Sequence, residues 1–280
     1  MAAKEDPAVT HFREYIRINT MQPNPDYVSC TAWLRIRGEA AGGEVEVVET
    51  FPGKPVVVIS FPGTRPELGT LLLNSHTDVV PVFPEHWKYE PFSAHKDSEG
   101  NIYGRGTQDM KCVGIQYLEA IHRMKKQGKT FTRTIHLTFV PDEEIGGETG
   151  MQEFVKMPEF KKLNAAFALD EGYANPTDKF SLFYGERCVW WVMVKCTGQP
   201  GHGSQFLANT AGEKLQRVIN SFLAFRQQQQ DKLNSDPDLQ LGDVTSVNLT
   251  MLKGGVQFNV VPAELSVGFD IRIPPTVNLE

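Results

Sequence analysis

Short continuous apolar runs alternate along this chain with longer segments of helical period, and few folds accept that order. Leu71-Leu72-Leu73-Asn74 and Ala165–Leu169 read as strands buried on both faces, with Thr134–Val140 a further strand between them. Residues 8–18 carry Val9, Phe12, Tyr15, Ile16 and Ile18 at the spacing of a short amphipathic helix. Residues 110–126 repeat that period, and 151–162 reads as one more helix. Residues 45–48 and 56–61 are β-rich runs separated by Pro-Gly, hence a pair of strands. Helices alternating with buried strands predict an α/β domain, a mixed sheet with helices on both faces.

The pattern changes near Gly185. Residues 189–197 form a strand, 210–230 a long helix, and 244–252 and 264–273 two more strands. The helix is expected to finish in a solvated run, Gln227–Gln230. Trp190 and Trp191 alternate faces of their strand, so one is expected in the core. This order is most of a small α+β domain. The division expected is therefore 1–186 for the first domain and 187–280 for the second.

A chain of 280 residues with 40% hydrophobic and 22% charged side chains has material for a core of enzyme size. Its formal charge is −6, with 28 basic and 34 acidic residues interspersed, so no basic stripe suggests nucleic acid. No apolar run approaches the ~20 residues that span a bilayer, and the first residues lack a signal-peptide core. Cys30, Cys112, Cys188 and Cys196 show no CxxC spacing, and reduced thiols in a cytoplasmic protein are expected.

Four clusters of metal-ligand residue types recur beyond strand ends. The first is Asn74-Ser75-His76-Thr77-Asp78. In extended backbone His76 and Asp78 point the same way, so Asp78 is placed to accept the second ring N–H of His76 and orient it on a metal. The second is Asp109, between Ile102-Tyr103 and a helix. The third is Asp142-Glu143-Glu144 after Val140, and the fourth is Asp170-Glu171 after Leu169. Taken singly, each has an ordinary explanation. HxD pairs are common by chance, paired Glu residues are usually solvated, and acids favour helix N-termini. Together they converge on the crevice beyond the carboxyl ends of the strands, where α/β sheets bind ligands. One imidazole with several carboxylates suits zinc, or manganese or cobalt in its place.

The segments LLLNSHTDVVP, GRGTQDMK, VPDEEIGG and ALDEG resemble the zinc metallopeptidase family that includes aminoacylases, acetylornithine deacetylase, succinyl-diaminopimelate desuccinylase and carboxypeptidase G. HTDVVPVFPEHW, FALDEGYANPTD and TSVNLTMLKGGVQFNVVPA resemble the aminoacylases in particular, and the likeness runs through residues 8–277. The resemblance implies a zinc-exopeptidase-like catalytic domain with an inserted ferredoxin-like lid and dimerisation domain. It implies hydrolysis of small N-acyl-L-amino acids to a carboxylate and a free amino acid, by a cytoplasmic homodimer holding two Zn²⁺ per subunit. Asp109 would bridge the two ions, His76 and Glu171 would complete one, and Glu144 would bind the other. Glu143 would be the general base. His202, in Gly201-His202-Gly203-Ser204, would stabilise the oxyanion in the partner's site. Asn259 and Arg272 would bind substrate, Arg272 through its carboxylate. Taken alone, His202 reads as a loop histidine with no role, and Asn259 and Arg272 also read as a turn residue and a strand-edge charge.

Two departures from the family pattern carry expectations of their own. Residues 29–43 hold Gly38 and Gly42-Gly43 and little apolar period, so a weakened helix and a local packing defect are expected there. The family also supplies a further zinc-ligating His from a segment following the lid. By that resemblance Glu280 falls inside the lid, the lid domain is incomplete, and the ion held by Glu144 and Asp109 keeps only two protein ligands. An inactive or weakly active form, binding one zinc or pairing with full-length subunits, is then one alternative. A dipeptidase or acetylornithine-type deacetylase is the other.

Overall fold

The computed structural model describes residues 5–172, 175–183 and 185–279. The chain divides into two compact units, Met1–Ser181 and Leu182–Glu280.

In the first unit, α1 (Pro7–Arg17) starts on an Asp6 cap that accepts the Ala8 N–H at 2.8 Å. Next come α2 (Tyr27–Ala40), β1 (Glu44–Phe51), β2 (Lys54–Phe61) and β3 (Thr70–His76). A small hairpin, β4 (His95–Lys96) with β5 (Ile102–Tyr103), precedes α3 (Lys111–Lys126). The unit ends with β6 (Ile135–Val140), α4 (Met151–Phe154), α5 (Pro158–Lys162) and β7 (Ala165–Leu169). The sheet order is β1, β2, β6, β3, β7, with β3 parallel to both β6 and β7 and the remaining pairs antiparallel.

The period-2 alternation of the strands sorts two cores. Val57, Ile59, Phe61, Leu73, Leu137 and Phe139 face α1, α2 and α3 through Tyr15, Leu34 and Leu118. Val56, Val58, Leu72 and Val140 face the opposite way, onto Phe154 and Leu163. The mixed sheet with helices on both faces is as expected.

Several local expectations fail for identifiable reasons. The weak segment at 29–43 is a regular helix, α2, capped by Asp26. Its buried residues, Tyr27, Cys30, Leu34 and Gly38, follow a three-four-four spacing that makes one seam. Gly38 is a contact rather than a defect, because a Cβ there would lie 2.7 Å from Ile59 Cδ1 and 2.9 Å from Val45 Cγ2. The single helix expected over 151–162 is two, because Pro158 cannot donate within a helix and holds Met157 extended at ψ 152°. Ala165–Leu169 is a strand but not a buried one. β7 pairs only with β3, and Phe167 is 62% exposed.

In the second unit, β8 (Cys188–Thr197), α6 (Ala211–Ser235), β10 (Ser246–Gly254) and β12 (Glu264–Ile273) form an antiparallel sheet of order β10, β12, β8 under one helix. Two short strands, β9 (Gly201–His202) and β11 (Val260–Val261), pair separately. A Thr210–Glu213 capping box starts α6, and Phe222 stacks on Phe269 at 4.0 Å. The helix does not end in its Gln run. It continues to Ser235, with Gln227 donating to Asp231 at 2.8 Å in an i,i+4 bond. Neither tryptophan is in the core, since the apolar cluster under α6 takes Val194 from β8 and leaves Trp190 and Trp191 exposed. All four cysteines are free.

Candidate metal centre

The parallel pairing of β3 with β6 and β7 brings three chain segments to one edge of the sheet. His76 is the last residue of β3, level with Val140 of β6, and Leu73 is level with Leu169 of β7. The residues that follow, Asp142–Glu144 and Asp170–Glu171, therefore emerge beside the imidazole. Asp109 arrives from the loop before α3, through a cis peptide bond to Met110. That loop is tied down on both sides of Met110. The Met110 sulfur accepts the His76 N–H at 3.3 Å, and the buried Lys111 ammonium donates to the carbonyls of Tyr15 at 3.1 Å and Ile18 at 2.7 Å.

Around His76 Nε2 lie Asp109 Oδ1 at 2.9 Å, Glu143 Oε2 at 3.7 Å and Glu171 Oε1 at 3.7 Å. On the other side of the ring, Nδ1 is 2.9 Å from the carbonyl oxygen of Asp78. A carbonyl can only accept, so Nδ1 carries a proton and Nε2 is the nitrogen turned toward the carboxylates. This corrects the expected His76–Asp78 contact, since the Asp78 carboxylate is 3.6 Å from Nδ1. Its oxygens instead accept the backbone N–H groups of Glu143 at 3.1 Å and Glu144 at 3.2 Å, and the Gln22 amide at 2.9 Å. Asp78 orients the glutamate turn by its carboxylate and the imidazole by its backbone.

Crowded acids leave an electrostatic mark. Burial works against a charged His76, yet its hydrogen bond to Asp109 and the nearby Asp78 and Glu143 charges raise it to about 11. Burial, with the Asp109 charge close by, pushes Glu144 up to about 7 and Glu171 up to about 8. Glu143 is raised by burial, while the His76 hydrogen bond holds Asp109 below the ordinary carboxylate range. Acids held above their usual range around one imidazole are a donor set that a divalent cation would relieve.

Among the described residues, two groups have ligand atoms close enough to hold one ion: His76, Asp109 and Glu144, and His76, Glu143 and Glu171. The five side chains are thus brought together. The grouping differs from the division implied by the resemblance, because Glu144 falls with His76 and Asp109.

Three residues behind the site had no role in the sequence reading. Gln22 and Asp142 are buried beneath the glutamate turn, and Asn74 donates to Asp170 at 2.8 Å while accepting from Thr138 at 2.7 Å. Asp142 and Asn74 stand within the motifs already read, as neighbours of the ligand candidates. Gln22 has no local signal.

In the second unit, His202 of β9 lies opposite Val260, and the Gly203 N–H donates to the Asn259 carbonyl at 2.9 Å, so His202 and Asn259 are neighbours. The Ser204 N–H donates to His202 Nδ1 at 3.2 Å, which leaves the ring proton on Nε2. Arg272 stands on a different sheet, in β12, and its Nε and Nη2 donate to the two Asp270 oxygens at 2.8 and 2.9 Å.

A family model described as peptidase family M20/M25/M40 matches residues 72–268. Aminoacylase-1 of Sus scrofa is 58% identical over 276 residues, covering 99% of this chain and 68% of that protein. Aminoacylase-1 of Dictyostelium discoideum is 50% identical over 289 residues, covering 99% of this chain and 71% of that protein. Among solved structures, an M20 family metallo-carboxypeptidase from Sulfolobus solfataricus superposes with a TM-score of 0.75 at 18% identity, covering 98% of this chain and 72% of that one, a likeness of fold.

Proposed function

Because the chain belongs to peptidase family M20/M25/M40, we propose that its metal centre serves the zinc-dependent hydrolysis of N-acyl-L-amino acids to a carboxylate and a free L-amino acid. The identity to aminoacylase-1, 58% across 99% of the chain, supports this substrate class. The observation that carries the chemistry is the meeting of Asp109, Glu143 and Glu171 at His76 Nε2, within 2.9 to 3.7 Å.

His76, Asp109, Glu144 and Glu171 are the residues that would hold zinc. Bound zinc supplies a Lewis acid that polarises an amide carbonyl and makes water more acidic. Glu143 is the general base. It takes the proton of the attacking water and delivers it to the leaving amine, a task worth about 10²–10⁴ in rate. Its raised affinity for protons brings it closer to neutrality, where such a shuttle works best. Asp78 holds the two glutamate N–H groups and so fixes where both side chains start.

His202 donates from Nε2 to the oxyanion that develops in the partner subunit's site, a role supported by the Ser204 N–H that keeps the proton on that nitrogen. Asn259 and Arg272 bind the substrate, Arg272 through its carboxylate. We place the protein in the cytoplasm as a homodimer formed through the second unit. No helix among the described residues is long and apolar enough to cross a membrane.

A panel of N-acetyl-L-amino acids, dipeptides and N-acetylornithine tests the substrate class. Preference for N-acetyl-L-amino acids is expected. Preference for dipeptides or acetylornithine would overturn the assignment while leaving the metal site intact.

A further inference from the structure

Glu143 and Glu144 stand on a single 3-10 turn, Glu143–Ile145, entered through Asp142 at φ 63° and left through Gly146 at φ 103°. A residue with a side chain keeps the left-handed region only where its surroundings over-determine it. At Asp142 they do. Oδ1 accepts from Gln22 Nε2 at 2.9 Å, Tyr27 OH at 2.7 Å and Lys54 Nζ at 2.9 Å, and Oδ2 accepts from Thr149 Oγ1 at 2.6 Å. The Asp142 N–H in turn donates to the Tyr27 hydroxyl at 2.9 Å.

We infer that Gln22 is a positioning residue for Glu143 and Glu144, its side-chain amide joining the two buried carboxylates that hold their turn. The inference rests on the reading of Glu143 as the general base. Nε2 has two hydrogens, and both are used: one on Asp78 Oδ2 at 2.9 Å, the other on Asp142 Oδ1 at 2.9 Å. Asp78 receives the N–H groups of Glu143 and Glu144, and Asp142 begins the turn. The amide therefore locks the floor of the turn to its entrance. A glutamate at this position would bring a third carboxylate, and a leucine would leave both acids one donor short.

The side chain is separable from the backbone that carries it. Gln22 N–H donates to the Val79 carbonyl at 3.0 Å, Val79 N–H to the Thr20 carbonyl at 3.1 Å, and Thr20 Oγ1 to the Thr77 carbonyl at 2.6 Å. Residues 20–22 stay beside the end of β3 whatever side chain position 22 bears. Tyr27 reaches the same turn from α2, so removing its hydroxyl tests the lock from the other side.

The experiment compares zinc-loaded wild type, Gln22→Leu and Tyr27→Phe. Backbone amide exchange is read at Glu143, Glu144, Leu73 and Leu137, together with zinc content and hydrolysis of N-acetyl-L-methionine. Exchange at Glu143 and Glu144 is expected to quicken about tenfold or more in both variants, with Leu73 and Leu137 unchanged. kcat should fall at least about tenfold while KM stays within roughly twofold. Unchanged exchange at Glu143 and Glu144 in the variants overturns the inference, and so does a kcat equal to that of active wild type. If wild type itself has no turnover, the proposed activity fails, and the exchange data alone decide whether Gln22 holds the turn. If Gln22→Leu does not fold, Gln22→Met, which keeps the length of the side chain and removes its two donors, carries the comparison.

Discussion

At the scale of single residues, the carboxylates around His76 compete with zinc for their own protons. Free of metal, Glu144 titrates at about 7 and Glu171 at about 8, both raised first by burial. Below those values the acids are protonated and zinc must displace the protons, while above them the carboxylates are charged and the proton left to displace is that of His76. Zinc affinity should therefore climb as pH rises from 6 through 8, with proton release on binding that shrinks over the same window. Calorimetry in buffers of different ionisation enthalpy measures both, and an affinity independent of pH would contradict this picture. Asp78→Asn should weaken zinc binding or turnover by about 10–100-fold, since an amide nitrogen in place of a carboxylate oxygen disturbs the support of both glutamates at once. Metal titration of the variant checks it. The ligand residues were legible in the sequence because each stands at, or a few residues beyond, the end of a strand. Gln22 was not, because its meaning comes from Asp142, 120 positions away along the chain.

At the scale of elements, α2 is where local propensity misled. Glycine was counted as a helix breaker, yet at Gly38 the absent Cβ is what lets the helix lie against Ile59 and Val45. Spacing of the buried residues, not richness in apolar ones, defines the seam. Leu34, fully buried in that seam, gives the test. Leu34→Ala should cost about 2–5 kcal/mol in denaturant unfolding. A loss under about 0.5 kcal/mol, the level of an ordinary surface change, would mean that α2 is not packed on the sheet. β7 was misread for the opposite reason. Its apolar sequence is what a covered strand requires, but β7 is an edge strand whose side chains are exposed on both faces. Sequence identified the strand, and only topology reveals what lies next to it.

At the scale of the molecule, the alternation of helices and strands was sufficient for the mixed sheet of the first unit, and strand-helix-strand-strand for the second. Assembly was not legible from composition. The second unit exposes the large apolar side chains Trp191, Met193, Phe206 and Phe258, a type of surface that a protein–protein contact would cover. Sedimentation should accordingly give twice the 31.4 kDa chain mass at micromolar concentration, and a monomer at every concentration would rule the homodimer out. The activity itself is tested most directly by hydrolysis of N-acetyl-L-methionine by the zinc-loaded chain beside Glu143→Gln. Chelation should abolish turnover and added zinc restore it. The substitution should lower kcat by about 10²–10⁴ at unchanged zinc content. Turnover that survives chelation, or a Glu143→Gln variant as fast as wild type, would contradict a metal centre whose base is Glu143.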